Sequence, residues 1–175
     1  MTDRVKGRAA IIFGGGQTPG ETIGNGRATA IVLAREGARL VVVDRDLAAA
    51  EETAAIVRGE GGEAVAVAAE ITEESQVRAA IASCVSSYGR IDILHNNVGA
   101  SLALGDASAT NLTVEAFDQI VAVNLRGMWL ACKHAIPIMR EQRSGSIVNI
   151  SSMAGALRVP VHRLQDHQGW RHRSD

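Results

Sequence analysis

Short apolar runs that alternate with longer amphipathic segments constrain this chain more than any other feature. Arg8 to Phe13, Arg39 to Val43, Ala64 to Ala68, Ile91 to Leu94 and Ser146 to Ile150 are strand-sized, and most are rich in valine, isoleucine or leucine. Between them, Gly26 to Glu36, Leu47 to Arg58, Glu73 to Ser87 and Thr113 to Gln142 carry apolar side chains at helical spacing. Parallel strands need crossover connections, so this alternation predicts an α/β fold: a parallel sheet covered by helices on both faces. Gly59, Gly61 and Gly62, and later the Gly89-Arg90 pair, stand where helices should stop, because glycine accepts the left-handed backbone that ends them. No internal repeat, low-complexity tract or linker interrupts the pattern, and 175 residues suffice for one core.

Composition narrows the function classes. With 46% hydrophobic residues, 21% charged residues and a net charge of −1, the chain reads as a soluble globular protein. The near-neutral balance and the scarcity of aromatic residues (3%) give no electrostatic footprint for nucleic acid and no stacking platform for single strands. The N-terminal apolar run, Ala9 to Phe13, is too short for a signal-peptide core or a membrane span, which predicts a cytoplasmic protein without membrane contact. Cys84 and Cys132 lie singly in apolar, helix-like segments with no metal or disulfide spacing, and read as core thiols.

The first chemical signal is the loop GGGQTPGETIGNGRATA, Gly14 to Ala30. It follows the first strand and runs into a helix, so its backbone N–H groups and the positive helix end can cradle a pyrophosphate. Glycine serves there because a β-carbon would hold the phosphate away. At the end of the second strand, VVVD places Asp44 where a carboxylate can bond a ribose 2′-hydroxyl, which favours NAD; Arg45 beside it could instead hold the 2′-phosphate of NADP. Each feature also has a plainer reading, a surface turn for the loop and a solvated strand end for Asp44.

Further along stand Asn96-Asn97-Val98-Gly99 after the fourth strand, Asn124 within VNLRG, and IVNISSMAG from Ile147 to Gly155. Together with Gly14 and the Gly24-Asn25-Gly26 turn, and in this order, they resemble the short-chain dehydrogenase/reductase family, from about Gly7 to Val159. The resemblance implies a Rossmann-like, doubly wound domain that transfers hydride between a nicotinamide cofactor and an alcohol or carbonyl substrate. It also implies the site. Gly14, Gly24 and Gly26 would line the pyrophosphate, with Asn25 in the same turn, and Gly20 would supply the first glycine if Gly20 to Gly26 sets the register. Asp44 or Arg45 would hold the adenine ribose, Glu70 and Ile71 would flank the adenine, and Asn97, Val98 and Gly99 would support the nicotinamide side. Asn124 would join a proton relay, and Ser152 would hydrogen-bond the reacting oxygen. No metal is implied, and the family is usually homo-oligomeric.

The sequence departs from the family in places. Phe13 stands where threonine is usual, Asn25 where isoleucine is usual, Glu70 where aspartate is usual, and the glycine loop is several residues longer than the common form. The larger departure follows Ser152. The family's acid/base is a tyrosine twelve or thirteen residues later, with a lysine four residues beyond it. A free phenol titrates near ~10, and the ammonium brings it toward the working range. Leu164 and Gln165, then Gln168 and Gly169, occupy those positions, and no tyrosine or lysine follows Lys133. Tyr88, the single tyrosine, precedes the fourth strand and falls at the opposite end of the sheet from the cofactor.

The tail crowds together His162, His167, His172 and Trp170, at spacings that spread the histidines around a helix and do not form a metal site. Codons can be chosen for Arg163 to His172 that, read one base later, spell Ala-Tyr-Arg-Ile-Thr-Lys-Ala-Gly-Val. The expectation is therefore an incomplete dinucleotide-binding domain over residues 1–160, lacking the C-terminal strands. An atypical tail over 161–175 would follow from a frame that slips near His162 or Arg163, leaving impaired catalysis.

Overall fold

A computed structural model describes residues 3–18, 20 and 22–151. Strand β1 (Ala9–Phe13) is buried at every position, as a strand covered on both faces must be. Around it lie β2 (Arg39–Asp44), β3 (Glu63–Ala68), β4 (Ile93–Asn96) and β5 (Ser146–Asn149). All pair in parallel, in the order β3-β2-β1-β4-β5. The chain winds outward from β1 to β3, then crosses back to place β4 on the other flank of β1. This reversal opens a crevice beyond the carboxyl ends of β1 and β4, the place where open α/β sheets bind ligands.

Alternation along the strands builds two cores. Ile11, Phe13, Val41, Val43 and Leu94 face helices α3 (Glu74–Tyr88) and α5 (Met128–Gln142), packing with Val77, Ile81, Cys84, Leu130 and Ala135. Ala10, Ile12, Leu40 and Val42 face helices α1 (Asn25–Arg35) and α2 (Leu47–Gly59), packing with Ala30, Ile31, Ala54 and Val57. Burying one such valine, isoleucine or leucine contributes about 1.5–3 kcal/mol, more than any difference in helix propensity among these residues. The doubly wound α/β architecture expected from the sequence is the one present.

Most boundaries shift by a single residue, and the larger shift, at β4, has a polar cause. β4 begins two residues later than its apolar run, because Asp92 is diverted to the amino end of the sheet. Its carboxylate accepts the Ala9 N–H at 2.9 Å, the Arg8 guanidinium at 2.9 Å and two Arg90 N–H groups at 2.7 and 2.6 Å. Arg8, expected within β1, thus stays outside it. The expected single helix from Thr113 to Gln142 is continuous but not uniform. Thr113 caps α4 (Val114–Val121) by accepting the Ala116 N–H at 3.1 Å, a π-helical turn spans Ala122–Gly127, and α5 follows.

Tyr88 lies at the amino end of the sheet, as expected: its hydroxyl donates to the Leu40 carbonyl at 2.9 Å. Burial pushes its phenol up from the ordinary value. Burial likewise pushes the Cys84 thiol up to about 12, the signature of an inert core thiol, and raises that of Cys132. Among the described residues no helix is long and apolar enough to cross a membrane.

Candidate functional site

The first turn after β1 sets the site's floor. Gly14 adopts a left-handed backbone (φ 76°), and the N–H groups of Gly14 and Gly15 both donate to the Val43 carbonyl, at 2.8 and 3.0 Å. The Gly14 carbonyl is thereby turned toward α1, where it accepts from Asn97 Nδ2 at 3.0 Å. A β-carbon on Gly26 would stand 1.8 Å from that carbonyl oxygen. Loop and helix therefore touch backbone to backbone, a contact open only to glycine. The N-cap of α1 is Gly24, which offers no side-chain cap, and no acidic residue occupies the first turn. Among the described residues, the first turn thus carries no acidic side chain to offset the positive end of the helix.

Above this floor is a cleft of about 430 Å³. Every residue assigned to the cofactor from the sequence lines it: Gly14, Gly20, Gly24, Asn25, Gly26, Asp44, Arg45, Glu70, Ile71, Asn97, Val98 and Gly99. Asp44 stands at the carboxyl end of β2, its two oxygens accepting the Gly16 N–H at 3.0 Å and the Asp46 N–H at 3.2 Å. Glu70 accepts the Thr72 N–H at 3.4 Å, and its own N–H donates to Gln76 Oε1 at 2.8 Å. Ile71 beside it is buried.

The two residues assigned to chemistry are placed differently. Asn124 sits in the π-helical turn, where its Oδ1 accepts the Ala100 N–H at 2.8 Å and its Nδ2 donates to the Ala100 carbonyl at 2.7 Å. That pair clamps the loop after β4 against the helix. Ser152 and the whole tail, including His162, Leu164 and Gln165, lie outside the described residues. β5 runs to Asn149 and delivers the chain to the same carboxyl edge just before Ser152. Asn96, next to the site, ties β4 to β5 by donating to Asn149 Oδ1 at 2.8 Å.

Gln17 was not anticipated. It lines the cleft and makes three side-chain hydrogen bonds across the glycine-rich loop. A polar residue inside a loop rich in glycine was the one signal for it.

The sequence of residues 9–163 matches the family described as short chain dehydrogenase. Levodione reductase of Leifsonia aquatica is 38% identical over 157 residues, covering 88% of this chain and 55% of its own length. 2-(S)-hydroxypropyl-CoM dehydrogenase 3 of Xanthobacter autotrophicus is 36% identical over 161 residues, covering 92% of this chain and 60% of its own. A crystal structure described as a short-chain dehydrogenase/reductase from Burkholderia xenovorans superposes with a TM-score of 0.83 at 37% identity, over 89% of this chain and 60% of that one. The chain thus spans a little over half the length of these relatives. With the match running through most of its residues and the strand order already in view, the chain belongs to the short-chain dehydrogenase family.

Proposed function

We propose that the chain is the dinucleotide-binding part of an NAD-linked oxidoreductase acting on a small alcohol or carbonyl, in the cytoplasm. The observation that carries this reading is the backbone contact of Gly26 on Gly14 beneath the uncapped end of α1, at the crevice where the strand order reverses. The helix end above that contact has the polarity a pyrophosphate needs, and a side chain at Gly26 would drive α1 off the β1 turn that holds it there. Asn25 and Gly26 would offer their amides to the phosphates. Asp44 would receive the adenine ribose hydroxyls with its remaining lone pairs, and its negative charge beside the 2′ position favours NAD over NADP, with Arg45 the feature on the other side of that balance. Glu70 and Ile71 would bound the adenine, and Val98 and Gly99 the nicotinamide.

The bound nicotinamide supplies the hydride-accepting and hydride-donating chemistry. The protein's share is orientation and proton management. Asn124 fixes the loop at Ala100 that borders the nicotinamide side, and by family resemblance Ser152 would hydrogen-bond the reacting oxygen. A proton donor is the weak point, since Leu164, Gln165, Gln168 and Gly169 stand where the family has its phenol and ammonium. This favours a second reading: a module that binds dinucleotide and turns over slowly or not at all.

Titrating the purified chain with NADH and following nicotinamide fluorescence tests both. Saturable binding with no NAD reduction across a panel of alcohols fits the binding module, and binding with turnover fits the active oxidoreductase. Absence of saturable binding overturns the cofactor reading.

A further inference from the structure

Gln17 is the residue at which the lengthened loop leaves the β1 turn, and its carboxamide closes that loop on itself. Nε2 donates to the Thr18 carbonyl at 2.7 Å and to the Thr22 carbonyl at 3.0 Å, while Oε1 accepts the Gly24 N–H at 2.8 Å. Gly24 is the N-cap of α1. A glutamine reaching the N-cap N–H from outside the helix does what the glutamate or glutamine of a capping box does from within it. The consequence is a division of labour at the helix end. The N-cap amide is satisfied by Gln17, and the first turn, where the N-cap side chain offers no cap, stands at the cleft that Asn25 and Gly26 line. At the same time two loop carbonyls are drawn to the Gln17 amide group. Free to rotate, they would present negative oxygen to any anion approaching α1.

On the reading that the cleft takes a nicotinamide dinucleotide, we infer that Gln17 is a positioning residue that pre-forms the pyrophosphate-recognising end of α1. It does not touch the reacting atoms. Without it the Thr18 and Thr22 carbonyls and the Gly24 amide have to be placed by the ligand, and that ordering is charged against the phosphate contacts alone. The other end of the cleft, which the cofactor reading gives to adenosine, is lined by Asp44, Glu70 and Ile71. The Gln17 carboxamide bonds Thr18, Thr22 and Gly24 and none of those three lining residues, and Asp44 meets the loop through the Gly16 N–H.

The test compares the full chain with Gln17→Ala and Gln17→Met, the second keeping side-chain length while removing all three hydrogen bonds. Each is titrated with NADH, ADP and adenosine, and each is melted to check that the fold persists. Both variants are expected to bind NADH and ADP roughly 10- to 100-fold more weakly than the parent. Adenosine affinity is expected to stay within about twofold, a selectivity a general loosening of the protein would not produce. Equal or tighter NADH binding by the variants overturns the inference, the tighter result meaning that the carboxamide competes with the phosphates. So does an adenosine loss as large as the ADP loss. Failure of the parent chain itself to bind NADH and ADP is a different result: it removes the cofactor reading, and this inference with it.

Discussion

Asp44 spends one lone pair of each oxygen on a backbone amide, Gly16 and Asp46, and keeps the others toward the cleft. Those amide bonds also fix its direction; on the proposed cofactor reading, its charge would oppose a 2′-phosphate. Hydrogen bonds to a charged acceptor are worth about 1.5–3 kcal/mol, so Asp44→Ala is expected to weaken NADH binding about 10- to 100-fold. NADPH affinity should hold or rise, since repulsion is removed and Arg45 remains. Parallel fluorescence titrations with the two cofactors check this. Equal losses for both would leave Asp44 as a brace for the Gly16 turn with no part in selection. Asp44 was legible because a carboxylate closing a valine run marks a strand end whatever the rest of the chain does. Gln17 was not, because its importance arises from Gly24 folding back to within hydrogen-bonding distance, which no local spacing announces. Asn124 lay between these cases. Its position followed from the family resemblance, yet its partner, Ala100, sits on a separate loop brought alongside by β4.

Apolar runs located all five strands, and the largest strand error fell where a polar side chain outbid the pattern. Ile91 is wholly buried and reads as strand, but Asp92 after it binds Arg8, Arg90 and the Ala9 N–H, so ladder pairing starts at Ile93. The long helix concealed its π-helical turn for a related reason: the wide turn is seen in backbone bonding and in the Asn124–Ala100 clamp, and neither alters which residues are apolar. β4 and its leading aspartate also set an acid limit for the fold. Burial alone would raise the Asp92 carboxyl, but the bonds from Arg90, Ala9 and Arg8 outweigh it and hold the group below its usual range. Its stabilisation is therefore complete above the unfolded value near ~4 and is lost as pH falls through the lower folded value. His95, buried with its Nδ1 unpartnered among the described residues, is pushed down by burial, so the fold favours its neutral form and loses stability as pH falls below about 6.5. Urea melts between pH 8 and pH 3 should show two declines. His95→Leu should remove the upper one, and Asp92→Asn should cost about 1–3 kcal/mol at neutral pH while flattening the lower one. A single decline unaffected by either substitution would assign acid sensitivity elsewhere.

At the scale of the whole molecule, the two cores account for the sheet but leave one outer face unexplained. Val114, Phe117, Leu125, Trp129 and Ile136 recur at steps of three, eight, four and seven residues along α4, the π-helical turn and α5, and they remain 70%, 53%, 65%, 55% and 39% exposed. The ring of Trp129 has Lys133 Nζ 5.2 Å from its centroid, and that lysine also pairs with Glu74 at 2.7 Å, which leaves the rest of the stripe open. Apolar side chains scattered singly over a surface need no account, but a continuous stripe along one helical path does. We propose a second copy of the chain as its occupant, since a two-fold axis would lay the stripe on itself. The purified chain is then expected to sediment as a dimer or larger species whose weight rises with protein concentration and persists at high salt, because the contact is apolar and not ionic. Leu125→Lys combined with Trp129→Lys should give a monomer. NADH affinity should survive in that variant, since neither side chain lines the cleft. Velocity sedimentation of the two proteins decides the matter: a parent chain that stays monomeric at high concentration, or a double variant that still associates, rules out this stripe as the self-association surface.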